Sequence, residues 1–270
     1  WSTMFDLNSL LNTNQPLAVI VWYLAVLALG LLALPLTQVA FKGLADGGYP
    51  LARSVGLLVV AWLAWIAGSL RVLPFTQATL WIAVLGLALV SGVIAFVRRR
   101  ELEAYLRAHW KQILVVEGLA LALFVGFLLV RLGNPDLWHP SKGGEKPMDF
   151  SYFNAVLRST FFPPYDPWYA GGYLNYYYYG FVLMGVPTKL LGIMPSLAYN
   201  LILPTFYALL GLNAFSVAFN LVERSGADEV SLTGATHASP ATASPTDVAP
   251  ETAVAHVSPD TGSIDQAPEA

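Results

Sequence analysis

The sequence predicts an all-α fold: a polytopic transmembrane helical bundle of about six membrane helices, with an extracytoplasmic loop that contains a short interfacial helix and a disordered C-terminal tail. Three observations predict it. Of the 270 residues, 56% are hydrophobic and 11% charged, far from the roughly 25% charged share of soluble domains. Six stretches are long and apolar enough to cross a hydrocarbon core of about 30 Å, which takes ~20 residues in a helix, and a helix is the element that satisfies its own backbone groups there. The longest connection between them is dense in aromatic and acidic residues.

Residues 1–16 form an N-terminal outer segment, and residues 17–132 hold four spans, at 17–41, 52–73, 75–97 and 112–132. The loop 133–175 follows, then two spans within 176–222, at 176–194 and 198–222. Pro35, Pro187 and Pro204 lie inside three of the spans and are expected to kink them. The chain begins at Trp1, with no basic region ahead of an apolar stretch and a small-residue cleavage site, so no signal peptide is expected. It reads as a fragment of a longer protein or an incomplete reading frame, with C-terminal membrane helices missing if it is a fragment.

Orientation is read from Lys and Arg in the short loops. Residues 98–111 contain Arg98, Arg99, Arg100, Arg107 and Lys111, the densest basic cluster in the chain, which predicts a cytoplasmic loop in a multi-pass plasma membrane protein. By alternation, residues 42–51 and 195–197 fall inside. The N-terminus, the link near Pro74, loop 133–175 and the tail fall outside. Arg71 runs against this assignment.

The tail, residues 223–270, is rich in Ala, Ser, Thr and Pro and has no aromatic residue, so it buries too little apolar surface to offset its ordering entropy. Residues 225–270 carry seven acids and no Lys or Arg, leaving fourteen basic against ten acidic side chains in the rest. The basic residues lie in short loops rather than along one face, which argues for the lipid bilayer as partner and against nucleic acid. With no cysteine, thiol nucleophiles, thiolate metal sites and disulfides are excluded.

Residues 133–179 contain fourteen of the thirty-five aromatic residues and the acids Asp136, Glu145, Asp149 and Asp166. Carboxylates in such a loop suit binding of a sugar or a divalent cation, and removal of a proton from a hydroxyl. Trp and Tyr also gather at any membrane interface. Asp149 precedes FSYFNAVLRS, whose apolar positions 150, 153, 156 and 157 suit an amphipathic surface helix; there it serves either as an acid or as the helix N-cap. Asp166, among prolines and glycines in PPYDPWYAGG, serves either as an acid or as a turn former. Glu145 and Lys146 also read as a solvated pair. Tyr176 to Tyr179 are expected to line the first turn of the fifth span. Glu117 and Lys189 are expected to snorkel to the cytoplasmic interface. His109 and His139 are isolated, and no spacing indicates zinc.

The words NPDLW (134–138), EKPMDF (145–150), NAVLRS (154–159), FPPYDPWYAGG (162–172) and NYYYYG (175–180) resemble the uncharacterised "YYY" (Chlor-Arch YYY-type) membrane protein family of bacteria and archaea. That family brings no established activity. The order of membrane helix, acid, short interfacial helix, second acid in a proline turn and membrane helix more distantly resembles the outer loop of GT-C glycosyltransferases such as protein O-mannosyltransferases and aminoarabinose transferases. That resemblance implies a polyprenyl-phosphate sugar as donor, with Asp149, Asp166 and Glu145 as catalytic carboxylates. It implies Lys146 and Arg158 as phosphate partners, and Trp168, Tyr173, Asn175, Tyr176 and Tyr177 as further substrate-binding residues. Phe150 after Asp149 departs from the paired Asp-Glu of those enzymes. Since they use further membrane helices, residues 1–270 alone are expected to be inactive. The alternatives are a transporter or channel component, which the uncharged interiors of 17–41 and 75–97 disfavour, and a non-catalytic scaffold.

Overall fold

The computed structural model describes residues 5–138 and 144–237. The chain divides into two units, Trp1–Ala227 and Asp228–Ala270; the described part of the second, residues 228–237, is helical. No strand occurs among the described residues, so the all-α expectation stands.

In chain order the helices are α1 (Leu10–Thr13), α2 (Gln15–Ala40), α3 (Ala52–Ser69), α4 (Gln77–Val97), α5 (Arg99–Ala108), α6 (Trp110–Gly133), α7 (Lys146–Arg158), α8 (Tyr178–Leu191) and α9 (Pro195–His237). Local chemistry sets several ends. Asn14 accepts from the Leu17 amide and caps α2, and Thr76 accepts from Thr79 and caps α4. Gly192, at φ 64°, takes the left-handed conformation that stops α8. Pro35 and Pro204 lie within unbroken helices.

Among the described residues, five helices are long and apolar enough to cross a membrane: Gln15–Ala40, Tyr49–Ser69, Gln77–Val97, Trp110–Gly133 and Pro195–Glu223. Four expected spans and the sixth are thus found within a few residues. The fifth is not. α8 has 14 residues, about 21 Å at 1.5 Å per residue, against the ~30 Å a span needs.

Hydrogen bonds show which helix ends lie together. At one end, called here the loop end, Asn12 bonds Gly192 and Met194, the Phe75 amide donates to the Thr160 carbonyl, and Asn200 joins Arg131 to Pro135. At the other, the basic end, Ala45 donates to Asn220, Tyr105 to the Asp46 carbonyl, and Ser54 pairs with Asn213. Both ends of α8 belong to the loop end: Tyr178 accepts from Trp65 and stacks on Phe162, and Gln77 donates to the Leu190 carbonyl. The chain therefore does not change ends across α8. Residues 195–197, expected inside, lie with α7, and α9 brings Glu223 beside Gly43 and Ala45 at the basic end. α9 also continues past residue 222 to His237, because no proline interrupts the sequence before Pro240; residues 238–270 lie outside the described residues.

In a bilayer, helices associate by close packing rather than by the hydrophobic effect, so small residues mark their contacts. On α2 and α3 these are Gly30 and Gly56. A Cβ on Gly56 would stand 2.3 Å from the Leu29 carbonyl oxygen, and one on Gly30 would stand 2.6 Å from the Arg53 side chain. The apolar core runs without a break from Trp22, Val60 and Leu80 into Phe153, Val156 and Leu157 of α7 and Val182 and Val186 of α8. α7 and α8 thus form a platform packed on the loop end of the bundle.

Candidate functional site

α7 buries Phe153, Val156 and Leu157, the amphipathic face its sequence predicts. It starts earlier than expected, at Lys146, with Pro147 in the first turn where a missing N–H costs nothing. Asp149 is therefore its fourth residue rather than its N-cap. The N-cap is Glu145, whose side chain makes no capping bond. Burial raises the Asp149 carboxyl above the ordinary range, and the neighbouring Glu145 charge adds to this. Lys146 does not pair with Glu145; its ammonium donates to the Asp136 carbonyl at 3.2 Å.

The segment from Pro164 to Leu174 closes on itself. The Leu174 amide donates to the Pro164 carbonyl (2.8 Å), the Asp166 amide to the Gly172 carbonyl (3.0 Å), and the rings of Tyr165 and Tyr173 stack at 4.9 Å. Asp166 accepts from the Trp168 amide at 2.8 Å, so its turn-forming role is real. The Trp168 indole N–H donates to the Ser151 hydroxyl at 2.7 Å and docks this turn on α7. One Asp166 oxygen is used in the turn; the residue also borders a groove.

Docking sets the turn against α7, the helix that carries Asp149 and Tyr152. Desolvation raises the Tyr152 hydroxyl above the usual tyrosine range, and the charges of Asp166, Tyr176 and Asp149 add to it in that order. A groove of about 520 Å³ is bordered by Asp166, Tyr173, Arg158, Arg71 and Thr160. A second, of about 500 Å³, is bordered by Trp138, Phe150, Ser151, Asn154, Arg158 and Met194. Asp149 and Glu145 border neither groove, so the structure joins Asp166, Arg158 and Tyr173 more closely than it joins the two expected catalytic aspartates.

The tyrosine run divides in two. Tyr177 takes φ 48° ahead of α8, and Asn175, Tyr176 and Tyr177 are exposed. Tyr178 and Tyr179 pack on Trp65, Tyr179 edge-on at 5.5 Å. The expected first turn of four tyrosines is corrected to two, because the helix cannot begin before the left-handed residue.

Two cations that the sequence did not mark as site residues stand here. Arg71 borders the Asp166 groove. Lys189, expected at the cytoplasmic interface, is instead 8% exposed at the loop end; it donates to the Phe75 carbonyl and lies 4.1 Å from the Phe75 ring centroid. Burial lowers its ammonium to about 7. The signal was local: Gly192 and Pro195 in LLGIMP stop the helix just after Lys189. Glu117 does not snorkel alone either, since it pairs with Arg53 and accepts from Tyr49 at 2.8 Å. His109 stacks on Tyr105, and His139 lies outside the described residues. Among the described residues no group of three or more His, Cys, Asp or Glu could hold a metal ion.

The model of a family described as uncharacterised membrane protein (DUF2298) matches residues 59–260, most of the chain and all of the platform. No curated protein and no solved structure matches the chain. The chain belongs to that membrane protein family.

Proposed function

For this member of the DUF2298 family we propose a GT-C-like glycosyl transfer at the membrane interface, with a polyprenyl-phosphate sugar as donor. The loop end faces away from the cytoplasm, in keeping with the basic cluster on α5 at the opposite end. The observation that carries the reading is the groove that Asp166, Tyr173, Arg158 and Arg71 border together. A lipid-phosphate leaves readily, so the protein has to orient an acceptor hydroxyl, take its proton and steady the phosphate. Asp166, at the groove, takes the proton. Asp149 and Tyr152 position it, and Arg158 and Arg71 face the phosphate. Trp168 and Tyr173 shape the wall. Glu145 acts through Asp149, and Lys146 fixes the start of α7 through Asp136.

Membranes of cells that carry the natural full-length protein test this. Asn can still form the turn at 166, so Asp166→Asn should insert and melt as the wild type does while losing sugar transfer by roughly 10²-fold or more, the scale of a lost general base. Asp149→Asn should show a smaller loss. Retention of near-wild-type transfer by Asp166→Asn, or no transfer by the wild type from any polyprenyl-phosphate sugar, would overturn the proposal.

A further inference from the structure

A third cavity, of about 280 Å³, lies between the start of α4, the end of α7 and α8. Its polar walls are Lys189, Arg158, Thr76, Gln77, Ser159 and Thr160, and no acidic side chain borders it among the described residues. Lys189 is the residue that needs explaining. An ammonium has three donors, and among the described residues Lys189 donates to one acceptor, the Phe75 carbonyl. Stapling α8 to the α3–α4 link requires a single donor, a task Gln77 already performs beside it through the Leu190 carbonyl. A lysine buried in an apolar setting is costly, whereas an anion in the adjoining cavity would return the lost solvation and take up its remaining donors. Arg158 borders this cavity and both grooves described above, so whatever binds here is continuous with the Asp166 groove.

We propose that this cavity is a phosphate site, in which Lys189 and Arg158 grip the oxyanion and the Thr160 and Thr76 hydroxyls complete its coordination. The anion is the phosphate of a lipid-linked molecule, an identification that rests on the transfer reading above, while the phosphate chemistry rests on the cavity alone. Lys189 sits on α8, which packs on the loop end of the bundle against α3 and α4.

The test is equilibrium binding to the full chain in phosphatidylcholine nanodiscs, with inorganic phosphate and dodecyl phosphate as probes. Dodecyl phosphate should bind the more tightly. Lys189→Met and Arg158→Gln should each weaken binding by roughly ten-fold or more, the scale of a lost charge-assisted hydrogen bond, whereas Lys189→Arg should retain most of it. Equal affinity for the two probes would uphold the site but assign it to free phosphate. Should Lys189→Met fail to fold, Arg158→Gln decides alone. No binding of either probe by the wild type, or binding indifferent to Arg158→Gln, would overturn the site. Binding that survives in an Asp166→Asn protein without transfer activity, or in a wild type without any, would separate this inference from the reading it adjoins.

Discussion

Lys189 shows how one buried side chain ties chemistry to stability. Its folded-state ammonium titrates near 7, well below the ordinary lysine value of 10.5, because burial disfavours the charge. Between those two values the unfolded chain binds a proton that the folded chain does not, so folding stability rises with pH across that window. Below it both states are protonated and the full cost of burying the charge remains. In the absence of phosphate, the wild type should therefore gain melting temperature relative to Lys189→Met between about pH 7 and 10. A difference that stays flat with pH would show that Lys189 is not desolvated. Asp149 makes a related point: as the fourth residue of α7 it caps nothing, so its replacement by Ala should not carry the ~1 kcal/mol loss of a missing cap.

At the scale of elements, close approach of α2 and α3 depends on Gly56, whose Cβ position is filled by the Leu29 backbone. A carbonyl oxygen on a packed helix cannot yield as a flexible side chain can. Gly56→Ala should accordingly lower the melting temperature markedly despite Ala being the better helix former. Gly86→Ala, where nothing lies within 4 Å, should leave it unchanged or raised. Equal effects at the two positions would mean that α2 and α3 do not pack as described. α7 was legible as an element because its apolar residues repeat at helical spacing. α8 was misjudged because its composition suits a span while Tyr177 and Gly192, both in the left-handed conformation, bound it at too short a length.

For the whole molecule, five candidate spans among the described residues, against the six expected, alter the order of helix ends after the loop. Since the chain contains no cysteine, single cysteines introduced at Ala104, Ser196 and Glu223 report sidedness cleanly. Impermeant reagent applied to intact cells should label Ser196→Cys and leave Ala104→Cys and Glu223→Cys shielded. Labelling of Ser196 and Ala104 from the same side would refute the order of helix ends. Composition by itself determined that the chain is a helical membrane protein, because apolar length and the demand for self-satisfied backbone groups act within each segment. Local pattern likewise marked α7 and the aromatic, acidic loop, including Asp166 and Arg158. Only the tertiary structure decided that α8 stays at one end, that Arg71 and Lys189 stand beside that loop, and that Glu117 meets Arg53. Each of these depends on which distant segments touch. A charge in an apolar stretch reads the same in sequence whether it reaches the interface, finds an ion pair or borders a cavity, and the packing around it makes the choice.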